Sequence, residues 1–427
     1  MRLELDNVGK ISSANIELNG ITVIAGENNT GKSTIGKMLF CIFSAFYKIE
    51  EQIREERVKS ISRVLNSYYH ETIGRFTRSF STYGLAMHMV EQKDSFLVDT
   101  RLIIKEIEDF FINKDNNVRQ YIEQEALEKL ADRIYMFLKL EESEIQKIIL
   151  RKRLEAEFAM KVGHVNMASQ KTFVKLNIKG DDIAFSVVKN EDIEIFNYVN
   201  LNKEIIYMDD PFVLDDLGRM QWQFGVNAYG HRQDLLGKLA NDKKAEEFSV
   251  IDELVVQKKL ERILEKMQGV CDGSIMSDEN NTFVYKTDKL NGNLQMTNLS
   301  TGLKSFAILR MLLQNGNIDE NGIIILDEPE IHLHPEWQLK FAEIIVLVQK
   351  EFKTNILLNT HSPYFLNAIE VYSQKYGIGN LCKFYLADEN NGITHVVDVT
   401  DETENIYAKL AKPLQELENV EYGDIGV

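Results

Sequence analysis

An α/β protein interrupted by a helical insertion is the fold this sequence predicts, on three observations. Short apolar runs ending in polar residues, ITVIAG, GIIILDEP and NILLNTHSP, recur along the chain, and each leads into a stretch of helical periodicity. That alternation is the rhythm of a parallel sheet with crossover helices. Residues 46–163 change character, becoming rich in Glu, Lys, Ile and Phe with apolar positions at helical spacing. Finally, the first apolar run passes directly into GENNTGKS, Gly26–Ser33, which fits the phosphate-binding pattern G-x-x-x-x-G-K-[ST].

The elements follow in order. RLELDNV and SANIEL alternate with period two and read as half-buried strands, ITVIAG reads as a short buried strand, and GKSTIGKMLFCIFSAF reads as a helix with an apolar flank. In the insertion, LIIKEIEDFF and EIQKIILRKRLEAEF carry helical spacing without a sustained heptad, which predicts a compact bundle or hairpin rather than a coiled-coil arm. FVKLNIKG, DIAFSVVKN, IEIFNYV and KEIIYMDD return to strand character, with turns at KGDD and KNEDIE. Helices dominate from about Val213 to Gln268, GSIMSDENNTFVYKTD reads as a hairpin, and PEWQLKFAEIIVLVQKEF reads as a crossover helix. A hairpin, LCKFYLAD with ITHVVDV, and the helix NIYAKLAKPLQELE follow Pro363. The predicted organisation is one lobe from residues 1–45 and 164–212, the insertion 46–163, and a region 213–427.

Composition narrows the function classes. A net charge of −17 argues against a generally basic nucleic-acid coat. The best local candidate for such a contact is KIILRKRLEAEFAMK, 147–161, whose Glu155 and Glu157 also suit a solvated helix face. Cys41, Cys271 and Cys382 follow no metal or redox spacing. The N-terminus has no signal-peptide core and no apolar run reaches a membrane span, so a cytoplasmic location is expected.

Three polar segments carry the chemistry. In Gly26, Glu27, Asn28, Asn29, Thr30, Gly31, Lys32, Ser33 and Thr34, loop N–H groups and a helix N-terminus favour phosphate oxygens. Lys32 is placed to reach the β- and γ-phosphates and Ser33 to hold Mg²⁺. Asp327 ends the strand IIILD, where it suits a Mg²⁺ shell, and Glu328 follows to polarise an attacking water. His361 follows the strand NILLNT, near where a γ-phosphate would lie.

GENNTGKS, LSTGLKS, IIILDEPEIHLHP and LLNTHSP occur in the order found in ABC-type ATPase heads. The chain resembles the RecF/SMC-like branch of that class, and within it the AAA-family ATPases allied to OLD nucleases and to ATPase subunits of phage-defence systems such as PtuA of Septu and AriA of PARIS. The resemblance implies a P-loop NTPase fold, ATP and Mg²⁺ as ligands, and a homodimer or higher homo-oligomer. It implies that Ser300 and Gly302, in LSTG, contact the γ-phosphate held by another subunit, and that His361 senses that phosphate. IHLHPEWQ, which carries His332 and His334, resembles the D-loop segment of the OLD-like group and implies an interface role ahead of a metal pair.

Two departures stand out. Asp209 and Asp210 occupy the place where transporter-type heads carry Gln, and Leu303 replaces the polar residue usual after Gly302. No Glu plus Asp-x-Asp set of a Toprim nuclease is visible after Pro363. The expected function is therefore an ATPase control subunit working with a separate effector such as a nuclease in antiviral defence. The alternative is a RecF-like DNA-repair or DNA-clamping ATPase with DNA as partner. A transporter energy module ranks below both.

Overall fold

The computed structural model describes residues 1–73, 81–114, 121–164, 171–189, 192–217, 229–241, 249–278, 283–289 and 291–423. Residues 190–191 of the expected KNEDIE turn, 279–282 of the expected hairpin, and 218–228 and 242–248 of the segment expected to be mostly helical lie outside them. The chain forms two compact units, one of residues 1–47 with 150–427 and one of residues 48–149. Where the sequence places the insertion at 46–163, the second unit ends at 149, within the helix Glu142–Phe158.

The first unit is built on an eleven-stranded sheet in the order β6-β5-β4-β1-β2-β14-β13-β3-β12-β11-β7. Its members are β1 (Arg2–Val8), β2 (Ile11–Glu17), β3 (Ile21–Gly26), β4 (Thr172–Ile178), β5 (Asp181–Val188), β6 (Asp192–Asn197), β7 (Ile205–Met208), β11 (Ile323–Asp327), β12 (Asn355–Thr360), β13 (Cys382–Asn390) and β14 (Ile393–Asp398). The run from β6 to β2 is antiparallel, whereas β13, β3, β12, β11 and β7 are parallel neighbours. Sequence pattern accounts for the division. Side chains of β3, β7 and β11 are buried throughout, as strands covered on both faces must be. In β4 buried and half-exposed positions alternate, which suits an antiparallel strand with one wetter face. A separate sheet joins β8 (Ser274–Ser277), β9 (Phe283–Lys286) and β10 (Leu294–Gln295).

The main core joins Val23, Leu326 and Leu358 of the parallel strands to Phe306 and Leu309 of the helix Thr301–Gln314 and to Phe341 and Ile345 of the helix Pro335–Phe352. The second unit has its own core. Ile103, Ile107 and Phe111, at four-residue spacing in the helix Arg101–Lys114, pack with Leu127, Ile134 and Leu138 of the helix Gln124–Lys139. Buried Arg57 donates to the carbonyls of Phe137, Leu138 and Leu140 at 2.7, 2.8 and 2.6 Å. A cation thereby satisfies the carbonyls that a helix C-terminus leaves unpaired.

The basic segment 147–161 is only partly open, with Lys147 and Lys161 exposed at its ends. Of its central cations Arg151 is exposed, but Lys152 donates to the Tyr229 hydroxyl at 2.7 Å and Arg153 to the Tyr229 carbonyl at 3.0 Å. The Arg153 guanidinium lies 5.2 Å from the Tyr229 ring centroid, and burial lowers its pKa.

Candidate functional site

Three neighbouring parallel strands end at one edge. In β3 and β12, Ala25 is opposite Thr360; in β12 and β11, Asn359 is opposite Asp327. The phosphate-type loop, the Asp327–Glu328 pair and His361 thus leave adjacent strands together, at the carboxyl ends where open α/β sheets gather their ligands.

The loop is shaped by two backbone requirements. Gly26 approaches β13 so closely that a Cβ would stand 2.5 Å from the Ala387 carbonyl oxygen. Gly31 enters the helix Lys32–Phe46 at φ +85°, a left-handed conformation that glycine adopts without steric cost. Thr30 Oγ1 closes the loop on the Glu27 carbonyl at 2.9 Å. Lys32 Nζ donates to the carbonyls of Gly26 at 3.1 Å and Glu27 at 2.7 Å and lies 3.9 Å from Glu328 Oε1. Burial lowers the Lys32 pKa, against the pull of Glu328.

Asp327 is buried, and each of its oxygens accepts one hydrogen bond, Oδ2 from the Tyr207 hydroxyl at 3.0 Å and Oδ1 from Asn359 Nδ2 at 2.9 Å. Glu328 turns out of the strand at φ +49° while its N–H donates to the Asn359 carbonyl at 2.9 Å. A non-glycine residue at positive φ costs about 1–3 kcal/mol and is held by its surroundings. The turn brings Glu328 Oε1 to 3.5 Å from His361 Nδ1, an ion-pair distance. The imidazole holds the Glu328 carboxyl below its usual range, and Glu328 in turn raises the His361 pKa. Behind them, buried Glu330 accepts from Thr360 Oγ1 at 2.5 Å and from the His361 N–H at 3.1 Å, and burial raises its pKa.

The LSTG turn has other neighbours. Ser300 is exposed at the N-cap of the helix Thr301–Gln314 and makes no capping side-chain hydrogen bond. A Cβ on Gly302 would meet the Trp337 ring at 3.2 Å and the His332 carbonyl at 3.3 Å. Lys304, buried two residues on, is paired with Asp215 at 2.6 Å. His334 Nδ1 accepts the Glu336 N–H at 3.4 Å and caps the next helix, while the His332 ring meets Phe212 edge-on at 6.0 Å.

The acids after β7 are also engaged. Asp209 accepts from His231 Nε2 at 2.9 Å and Asp210 from Arg232 at 2.9 Å. Tyr207, Asn359, Glu330 and His231 were not singled out from sequence. The signal for Tyr207 was a hydroxyl-bearing residue in the otherwise apolar strand IIYM, and that for Asn359 was a buried amide after the apolar run ILL; both are legible only once the strands are in register.

The sequence family described as "AAA domain, putative AbiEii toxin, Type IV TA system" matches residues 21–367. Septu protein PtuA of Bacillus thuringiensis is 31% identical over 186 residues, 40% of this chain and 44% of that protein. Retron Ec83 probable ATPase of Escherichia coli is 36% identical over 94 residues, 19% of this chain and 17% of that protein. The chain thus spans less than half the length of either relative. An SMC head domain from Thermotoga maritima aligns over 93% of this chain and 98% of its own length, at 11% identity and a TM-score of 0.39.

Proposed function

We propose, for a chain that belongs to the AAA-domain family described as putative AbiEii toxin, Type IV TA system, that it binds and hydrolyses ATP at sites shared between two copies of itself. The observation that carries this reading is the convergence of Gly26–Thr34, Asp327, Glu328 and His361 on the ends of neighbouring parallel strands.

Loop N–H groups and Lys32 bind the phosphate oxygens. The Ser33 hydroxyl and the Asp327 carboxylate are hard oxygen donors of the kind Mg²⁺ prefers. Asp327 fits that task because each of its oxygens accepts one protein hydrogen bond and keeps lone-pair capacity. Bound there, Mg²⁺ would offset the negative charge of the terminal phosphates. Glu328 accepts a proton from water as the water oxygen bonds to the γ-phosphorus. The bond to the β–γ bridging oxygen breaks, giving ADP and phosphate. The depressed pKa of Glu328 keeps it ionised, hence an acceptor, at neutral pH. His361, beside Glu328, senses the γ-phosphate.

Ser300 and Gly302 complete the site of a neighbouring copy. The exposed Ser300 hydroxyl, free of a capping bond, supports this assignment. Similarity to a Septu protein and a retron protein supports a role as the control subunit of an antiviral system, acting with a separate effector such as a nuclease. The DNA-clamping alternative loses support where Lys152 and Arg153 turn toward Tyr229.

Glu328→Gln tests the chemistry. The amide keeps the shape and loses the basicity, so ATP affinity should hold while turnover falls about 100-fold or more. Wild-type turnover in the mutant would make Glu328 a structural residue. For the partner, co-expression with the product of the neighbouring open reading frame should yield a complex with nuclease activity; two separately migrating proteins would remove the effector from the proposal.

A further inference from the structure

We propose that Tyr207 is a positioning residue for Asp327, fixing the carboxylate in the orientation that takes the divalent cation. The inference rests on the ATPase reading above.

The Tyr207 hydroxyl donates to Asp327 Oδ2 at 3.0 Å and stands 3.5 Å from the Ser33 carbonyl oxygen. One buried group therefore bonds the Asp327 carboxylate and lies against the main chain of Ser33. The neighbouring helix makes room for it. A Cβ on Gly36 would lie 3.2 Å from the hydroxyl and 3.1 Å from Ile325 Cγ2. Glycine within a helix costs about 1 kcal/mol relative to alanine, and here it admits the phenol.

The ring is held as firmly as its hydroxyl. The His231 imidazole stacks on it, centroids 4.4 Å apart and planes 27° apart, and Phe40 packs at 6.2 Å. His231 is itself fixed at three points. Its N–H donates to Glu157 Oε1 at 2.7 Å, Nδ1 lies 2.7 Å from Glu157 Oε2 and Nε2 2.9 Å from Asp209 Oδ2. With Asn359 on the other oxygen, the carboxylate plane of Asp327 is set from both sides. Hydrogen bonds that orient a ligating carboxylate are worth roughly 10–100-fold in metal affinity or activity.

Tyr207→Phe keeps the ring and deletes the donor. A fluorescent ATP analogue is titrated in EDTA, then across Mg²⁺ at saturating nucleotide. Affinity in EDTA should stay within about twofold, while the Mg²⁺ midpoint should rise about 10–100-fold. Gly36→Ala, which crowds the hydroxyl and leaves Tyr207 in place, should move that midpoint the same way. In an Asp327→Ala background, Tyr207→Phe should add nothing, because it acts through Asp327. An unchanged midpoint in folded Tyr207→Phe, or an equal further loss in the Asp327→Ala background, would overturn the inference and leave the ATPase reading intact. Wild-type protein that binds no ATP analogue with or without Mg²⁺ would defeat both.

Discussion

Ser300 and Ser362 hold the same position at two helix starts and do different work. Ser362 precedes the helix Pro363–Lys375, where its Oγ accepts the Phe365 N–H at 3.2 Å and donates to Gln338 Oε1 at 3.1 Å. Ser300 precedes the helix Thr301–Gln314, is exposed and makes no capping bond. Serine is among the best N-cap residues because it satisfies an orphan N–H. One serine spends that capacity inside its own chain; the other keeps it at the surface. Next to Ser362, the Asp327–Glu328–His361 edge is tied together by intramolecular contacts. Next to Ser300, the turn is braced from behind, by Trp337 against Gly302 and by Lys304 on Asp215. A turn braced from behind with its polar front exposed is what a site shared between copies needs.

Perturbing each side separately sharpens the contrast. The largest effect should come from Lys32→Ala, which removes the cation that the proposal assigns to the terminal phosphates. ATP affinity should fall about 100-fold, roughly 3 kcal/mol, as read by nucleotide titration of the folded mutant. Next, Ser300→Arg should keep ATP affinity near wild type and lose most hydrolysis, since on the shared-site proposal bulk and charge are added to a face that meets only a neighbouring copy. Comparing binding with turnover separates the two substitutions.

A third effect lies in stability. Burial works against the charge of His231, but Asp209 and Glu157 push its pKa up from 6.5 to about 9. Because the folded value is raised, the stabilisation is fully present below about pH 6.5 and is lost as pH climbs through about 9. At neutral pH His231→Gln should cost on the order of 2 kcal/mol, and the gap from wild type should narrow above pH 9 in urea unfolding. A pH-independent gap would remove the imidazolium from the account. The smallest effect returns to the two serines. Ser362→Ala should cost about 1 kcal/mol, whereas Ser300→Ala should change stability by only a few tenths. Equal costs would dissolve the comparison.

Much of this was legible in the sequence because it is local. The phosphate-type loop, the Asp327–Glu328 pair and His361 each come at the end of a strand of five or six residues that is buried almost throughout, and burial on both faces favours the apolar side chains that dominate these strands. What was not legible depends on distant segments meeting. Tyr207 reaches Asp327 across 120 residues of chain, and Arg153 finds Tyr229 across 76. Periodicity places a side chain on a face of its own element and does not say which element arrives opposite. For that reason the charge-rich segment 147–161 looked like a surface from sequence, whereas two of its cations are bound to Tyr229. Likewise Asp209, a departure from the transporter pattern, acquires a role only beside His231.

The shared-site claim is tested most directly by mixing two inactive proteins, Ser300→Arg and Lys32→Ala, under conditions of subunit exchange. In a mixed dimer, one site combines the intact Lys32 loop with the intact Ser300 turn, and the other combines both lesions. The account predicts that each protein alone is nearly inactive and that ATP hydrolysis returns on mixing, in proportion to the mixed dimer formed. Normal hydrolysis by Ser300→Arg alone, or no recovery although mixed dimers are detected, would contradict it.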